Sequence, residues 1–249
     1  MANKKFSQFD LKTNSADVQF VVGYNGTDNV RIAPSNLGGG GASDLNGLSD
    51  CLDDTDSLYV AEVPSGLSGN PQGNTVMGID AGNALTSGNQ NTLIGNDAGL
   101  NLATGQRNVS IGYQAGRAQT DSQAVNIGAT AGYASSTLYQ AISIGFESNF
   151  TGLNERSIAI GYQTGFNGWS RDSVLIGERA GRGGGGLNSV HIGGQAGYNY
   201  VYGANGGISI GYQAAYSNTS GTKNLNIGYK AGYNITTATD NTNIGYETG

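Results

Sequence analysis

An apolar residue followed by glycine recurs through the last two thirds of this chain every 16 to 18 residues, and no other feature restricts its fold so severely. The series runs Met77-Gly78, Ile94-Gly95, Ile111-Gly112, Ile127-Gly128, Ile144-Gly145, Ile160-Gly161, Ile176-Gly177, Ile192-Gly193, Ile210-Gly211, Ile227-Gly228 and Ile244-Gly245. A fixed period of this kind marks a repeat architecture in which each unit packs against its neighbours. The period is too short for a pair of helices, and a helix does not tolerate two glycines per repeat. Stacked β coils remain. The expected fold is an all-β, parallel β-solenoid (β-roll) with 16–18-residue coils, eleven of them over residues 74–249. At the inter-strand spacing of about 4.8 Å such a rod is on the order of 50 Å long.

The fuller unit reads N/S-apolar-x-I-G-Y-x-A-G, complete at 108–116. Positions three and one before the glycine are mostly β-branched, as in Val109 and Ile111, while the residue between varies through Ser110, Asn126, Ser143, Ala159, His191 and Ser209. That alternation predicts a short half-buried strand whose structural core is Ile94, Ile111, Ile127, Ile144, Ile160, Ile176, Ile192, Ile210, Ile227 and Ile244, with the variable residue facing outward. The eleven glycines form one corner, and a second glycine four residues on (Gly99, Gly116, Gly132, Gly165, Gly181, Gly197, Gly232) forms another. A column of small residues (Ala98, Ala115, Ala131, Ala180, Ala196, Ala231) suits a narrow interior.

Each coil offers few large aliphatic side chains against some 16 ordered residues, so packing several chains side by side is an obvious source of further burial. The aromatic columns offer a surface for it: Tyr113, Phe146, Tyr162, Tyr212, Tyr229 and Tyr246 after the first glycine, and Tyr133, Phe150, Phe166, Tyr198, Tyr216 and Tyr233 after the second. They fit intrachain stacking and an intersubunit seam alike.

Composition narrows the partners. The net charge is −6, with only 12% charged residues. Residues 1–73 hold four basic and nine acidic side chains and residues 74–249 hold eight and nine. Nucleic-acid binding needs clustered basic surface, so no nucleic-acid partner is expected. No apolar run is long enough to span a membrane, and the first ten residues lack the apolar segment of a secretory signal, which points to assembly in a cytoplasm. One cysteine leaves no internal disulfide.

The repeats, in forms such as 157–161 (SIAIG) and 189–193 (SVHIG), resemble the head repeats of YadA-type trimeric autotransporter adhesins. That resemblance implies a homotrimeric parallel β-roll, though this repeat is two or three residues longer than the adhesin repeat. Residues 5–11 (KFSQFDL) with 18–32 (VQFVVGYNGTDNVRI) look like the leader of structural fibre proteins of marine T4-like phages, cyanophages especially. This second resemblance implies an N-terminal segment docked on a virion protein and a repetitive shaft projecting from the virion surface. Three parts follow: an attachment segment over 1–37, a Gly-rich and acidic connector over 38–73, and the shaft over 74–249. Within the first, residues 17–32 read as a β-hairpin turning at 25–29.

The expected function is a non-enzymatic phage fibre contributing to host-surface adhesion, with a host receptor as a further partner. An extracellular self-assembling filament or adhesive solenoid is the alternative, and an ice- or carbohydrate-binding solenoid the third reading. No cofactor, metal or catalytic residue is assigned. Asp50, Asp53, Asp54 and Asp56 could attract Ca²⁺ but lack the EF-hand glycine and terminal Glu, so a solvated acidic turn is expected. Cys51 has no partner thiol, and His191, the single histidine, is expected at an exposed position. Glu147, Glu155, Asp172 and Glu178 are candidates for paired-carboxylate glycan cleavage, but they lie on different coils without a shared pattern. The glycine runs 38–41 and 183–186 lack the Lys-Ser/Thr of a phosphate loop and read as a hinge and a bulged loop. The column of Asn74, Asn91, Asn108, Asn224 and Asn241, with Ser157, Ser173 and Ser189, is expected to cap corner amides rather than order water outside. The repeat continues unbroken to Gly249, which predicts either head-to-tail stacking or, preferably, a longer fibre.

Overall fold

The structure is a computed structural model that describes residues 21–24, 29–32, 51–54, 57–60, 66–68, 71–152, 154–201 and 204–249. Among them there is no helix; every regular element is a strand. The chain divides into two units, 1–47 and 48–249. In the first, β1 (Val21–Tyr24) pairs antiparallel with β2 (Asn29–Ile32), Val21 opposite Ile32 and Tyr24 opposite Asn29. This is the hairpin expected from the Val-rich arms; its turn lies outside the described residues.

The second unit is a β-solenoid of about ten turns, successive turns about 17 residues apart. It opens with β3 (Cys51–Asp54) and β4 (Ser57–Val60), an antiparallel pair. Eleven three-residue rungs follow: β5 (Thr75–Met77), β6 (Thr92–Ile94), β7 (Val109–Ile111), β8 (Val125–Ile127), β9 (Ile142–Ile144), β11 (Ile158–Ile160), β13 (Val174–Ile176), β15 (Val190–Ile192), β16 (Ile208–Ile210), β17 (Leu225–Ile227) and β18 (Thr242–Ile244). With β3 and β4 they make one 13-stranded sheet, parallel from β4 onward. The two-residue strands β10 (Asn154–Glu155), β12 (Ser170–Arg171) and β14 (Gly186–Leu187) form a small parallel sheet of their own. The glycine run 183–186 thus ends in a strand rather than a plain bulge.

The acidic connector therefore needs correction, because β3 and β4 belong to the roll. Leu58, Tyr59 and Val60 stand in register with Thr75, Val76 and Met77. Tyr59 is buried at the place that Val76 takes one turn later.

The register is strict: Ile158, Ala159 and Ile160 stack on Val174, Leu175 and Ile176, and the same columns run through every rung. Between rungs the corners are also bonded. Gly95, Gly112 and Gly128 each donate their N–H to the carbonyl of the apolar residue one turn back, all at 2.8 Å. On the far side Gly82 donates to Ala98 and Gly99 to Ala115, so the ladder encircles the coil.

The strand faces are opposite to the expectation. In nearly every rung the middle residue is buried and its two neighbours are only half-buried. Ser110, Asn126, Ser143, Ala159, Leu175, His191, Ser209 and Asn226 fill the interior, and the isoleucine column lies on the outer surface. The inner wall explains the variability that looked like exposure. A Cβ on Gly99 would stand 2.8 Å from Leu93, so the wall facing a large middle residue must be glycine. Where that wall position is larger, as at Asn149 and Ala215, the middle residue is Ser143 or Ser209. Where both members are small, a polar side chain takes up the space instead: Gln119 stands against Gly116, the glycine facing Ser110, and Asn149 stands against Gly165. The alanine column is buried throughout, as expected.

Candidate functional site: the outer face of the rungs

The outward columns form one continuous surface. From β5 to β18 the first column reads Thr, Thr, Val, Val, Ile, Ile, Val, Val, Ile, Leu, Thr, and the third reads Met followed by ten isoleucines. None of these 22 positions carries a charge. Eleven rungs at about 4.8 Å give an uncharged, largely apolar stripe about 48 Å long and two side chains wide. Met77, Ile208 and Ile244 are 46%, 38% and 61% exposed in the single chain.

Around the glycine corner stands the first aromatic column. Phe146 stacks on Tyr162 (5.8 Å between ring centres), and Tyr212, Tyr229 and Tyr246 stack at 5.6 and 5.0 Å. The second runs Tyr133–Phe150–Phe166 at 5.0 Å per step, then Tyr198–Tyr216–Tyr233 at 4.9 and 5.1 Å. Arg182 bridges the two halves, with its guanidinium 5.1 Å from the Phe166 ring centre and 5.7 Å from that of Tyr198. Ring stacking within one chain is thus present. Because neighbouring rings cover each other's faces, they offer edges to a ligand rather than stacking platforms.

Two further columns were missed in the sequence. The residue two after each corner glycine (Asp97, Gln114, Glu147, Gln163, Arg179, Gln195, Gln213, Lys230) has φ of +50° to +57°. The residue just before the Asn/Ser column (Gln90, Arg107, Gln123, Gln140, Arg156, Asp172, Lys223) has φ of +47° to +65°. Left-handed non-glycine backbone costs about 1–2 kcal/mol per residue. It is offset by cross-turn bonds such as Gln114 N–H to Asn96 O at 2.8 Å and Arg107 N–H to Asn89 O at 2.9 Å. Their side chains also pair up the rod: Gln114 Nε2 donates to Asp97 at 2.9 Å, Gln163 to Glu147 at 2.7 Å, and Gln213 to Gln195 at 2.8 Å. The signal was present in that second column, where Gly73 and Gly206 replace the polar residue and also have positive φ.

The candidate carboxylates are taken up by this pairing. Asp172 receives Arg156 at 2.6 and 3.0 Å, which holds its carboxyl below the usual range. Glu155 lies 3.8 Å from both Arg156 and Arg171, Glu147 accepts from Gln163, and Glu178 pairs with Arg179 at 2.9 Å. Asp121 is raised, first by partial burial and then by the Glu155 charge. The four candidates are not brought together as an acid–base pair. Among the described residues no group of three His, Cys, Asp or Glu is placed to hold a metal ion, and no helix is long and apolar enough to cross a membrane. The side chains of Cys51 and the 50–56 acidic turn, and the glycine run 38–41, lie outside the described residues.

The asparagine column is inside, as a capping ladder. Asn91 donates its backbone N–H (3.0 Å) and Nδ2 (3.1 Å) to Asn74 Oδ1, and Asn108 repeats both bonds to Asn91. At Ala124 the ladder lapses, and Gln119 closes the gap by donating to Asn108 Oδ1 and accepting from Asn126 Nδ2, both at 2.7 Å. Asn74, Asn91, Asn108 and Asn224 are buried, and only Asn241 of the column is part-exposed. His191, expected at the surface, is fully buried: its ring meets that of Tyr200 edge-on at 4.4 Å, and neither nitrogen has a well-formed hydrogen bond. Burial pulls its pKa down to about 4, slightly offset by the nearby Gly185 backbone.

An open polar groove of about 380 Å³ lies near the first turns, lined by Gln72, Asn89, Gln90, Gln106 and Arg107. Its amides serve one another, as in Arg107 Nε to Gln90 Oε1 at 3.1 Å and Gln72 N–H to Asn89 Oδ1 at 2.8 Å. Compared with known proteins, the chain matches no family model, and no curated protein or solved structure matches it.

Proposed function

We propose that this chain is a structural fibre protein of a phage. In this reading residues 1–37 attach it to the particle, and the solenoid associates as a homotrimeric shaft that projects from the virion and contributes to host-surface adhesion without a catalytic step. The observation that supports it best is the outer face of the rungs: 22 consecutive outward positions without a charge, on a rod thin enough to need more burial. Three such faces turned toward a common axis would remove a stripe of Val and Ile from water over the whole length of the rod. At about 25 cal/mol per Å² of apolar area, burial on the scale of a standard interface is ample to hold the subunits together. The sequence resemblance of 5–11 and 18–32 to phage fibre leaders supports the attachment role.

The test is the solution mass of the full chain by light scattering, followed by immunogold labelling of phage particles from the source culture. A mass of three chains with labelled particles is expected. A monomer would remove the trimer, a polydisperse polymer would make the extracellular filament the leading reading, and unlabelled particles would remove the virion.

A further inference from the structure

Four of the stacked ring pairs are tyrosine on tyrosine: Tyr198–Tyr216, Tyr216–Tyr233, Tyr212–Tyr229 and Tyr229–Tyr246. All four lie in the last coils, between residues 198 and 246. The ladders of the middle coils contain phenylalanine at alternate or consecutive steps, as in Tyr133–Phe150–Phe166 and Phe146–Tyr162. We infer that the two three-tyrosine ladders are a modification site, at which a one-electron oxidant joins tyrosines of neighbouring coils into dityrosine and staples those coils together.

The geometry supplies what that chemistry needs. The rings are held 4.9 to 5.6 Å apart and within 19° of parallel by a backbone that repeats at the inter-strand spacing. Because the flanking rungs stack in register, each tyrosine meets the corresponding tyrosine of the next coil face to face, so two radicals formed on adjacent coils are already neighbours. Such enforced proximity replaces a second-order encounter by an intramolecular one. Tyr212, Tyr229 and Tyr246 are 46%, 38% and 71% exposed and open to a dissolved oxidant, and Tyr198, Tyr216 and Tyr233 are half-buried. Buried Tyr200, whose hydroxyl accepts from Asn218 Nδ2 at 3.0 Å, lies outside both ladders.

The step balances as follows. Each phenol gives up one electron and one proton, and the two phenoxyl radicals form one bond between carbons ortho to oxygen. Each of those carbons then returns its proton to the ring oxygen, leaving two phenols joined carbon to carbon. The net change is loss of two electrons and two protons; with persulfate as oxidant, the peroxide bond accepts both electrons and yields two sulfates. Each staple closes a loop of one coil, 17 or 18 residues. Thr242 and Ile244 of β18, beside the last of these rings, are exposed in the single chain.

The experiment uses the full chain with a light-activated ruthenium sensitiser and limiting persulfate, read by dityrosine fluorescence and by mapping of cross-linked peptides by mass spectrometry. The expected result is cross-linking within one chain at the four adjacent pairs, in higher yield for folded protein than for the same protein in urea. Tyr216→Phe keeps the stack but removes two of the four pairs, and should lower the yield by roughly half while 212–229 and 229–246 persist. Cross-links chiefly between chains, chiefly at pairs that are not stacked, or in equal yield after unfolding would overturn the inference. None of these outcomes depends on the phage reading, because the ladders are formed within a single chain.

Discussion

Gly197 lies directly against the ring of His191: a Cβ placed on it would stand 2.5 Å from Nδ1 and 2.7 Å from Cε1. The two residues are the opposite walls of one coil, and the interior between them has no spare volume. Gly197 also has φ of +59°, which a side chain adds strain to. Gly197→Ala should therefore destabilise the protein by about 2–4 kcal/mol through overpacking and left-handed backbone. In the background of His191→Ser the same change should cost clearly less, because only the overpacking part is removed. Denaturant melts of the four species of this double-mutant cycle give the coupling, and additive effects would contradict the assigned packing.

The buried imidazole also makes an acid prediction. His191 titrates near 6.5 when unfolded and at about 4 when folded, so between those values the unfolded chain binds more protons than the native one. Its contribution is complete above the unfolded pKa and declines as pH falls toward 4, by about 3 kcal/mol in total. His191→Leu places the side chain already tolerated at Leu93 and Leu175 of the same column. That variant should lose less of its melting temperature between pH 7 and pH 4.5 than the parent. Identical pH dependence in the two proteins would show that His191 is not buried in its neutral form.

Outer and inner strand positions should respond differently to the same insertion of charge. Ala159→Asp puts a carboxylate in the sealed interior, where no Lys or Arg is among the buried residues, and should abolish folding, visible as loss of the β-sheet circular dichroism signal. Ile160→Asp, one residue on, points out of the coil. Its β-sheet signal should remain, and on the trimeric reading proposed above the association of subunits should be lost in sedimentation. A well-folded Ala159→Asp beside an unfolded Ile160→Asp would restore the face assignment that alternation alone suggested.

Much of the fold could be read in advance because the repeat is dominated by backbone. The corner glycines stand at φ of +124° to +139°, and most would place a Cβ on the next turn's glycine carbonyl, a constraint that only Gly meets. Their spacing therefore transmitted coil length and register directly. The faces could not be read the same way. Two-residue periodicity separates the sides of a strand but does not say which is inside, and the rule that apolar columns are buried fails when the interior column mixes Ser, Asn and Ala with Val76, Leu93, Leu175 and His191. His191 was misplaced for that reason. Gln90, Arg107 and Asp97 were missed because their left-handed backbone is imposed by cross-turn bonding, not by their own preference.

The asparagine ladder should show its value at an interior step. Asn108 Oδ1 accepts from Ala124 N–H at 2.9 Å and from Gln119 Nε2 at 2.7 Å, and its Nδ2 reaches Asn91 and Asp121. Asn108→Ala leaves buried donors and acceptors without partners, for about 2–4 kcal/mol. Asn241, at the last step, bonds upward to Asn224 but lies part-exposed, where water replaces what is lost. Asn241→Ala should cost under about 1 kcal/mol. Equal losses would mean that the column is merely tolerated in the interior.

The corner glycines allow a comparison within one column. A Cβ on Gly161 would stand 2.5 Å from the Gly177 carbonyl oxygen and 2.7 Å from Thr164 Oγ1, so the stack must open to admit it. Gly245 has nearly the same φ, +133° against +139°, but its Cβ would meet only Thr248 Cγ2 at 3.1 Å, because no described turn lies beyond it. Backbone strain is thus common to both and the carbonyl clash is not. Gly161→Ala should be destabilised by at least about 3 kcal/mol and Gly245→Ala by about 1–2 kcal/mol. Thermal melts of the two single variants, with hydrogen exchange to locate any opened rungs, measure the difference. If it vanishes, the glycine column serves only the turn and not the close approach of successive coils.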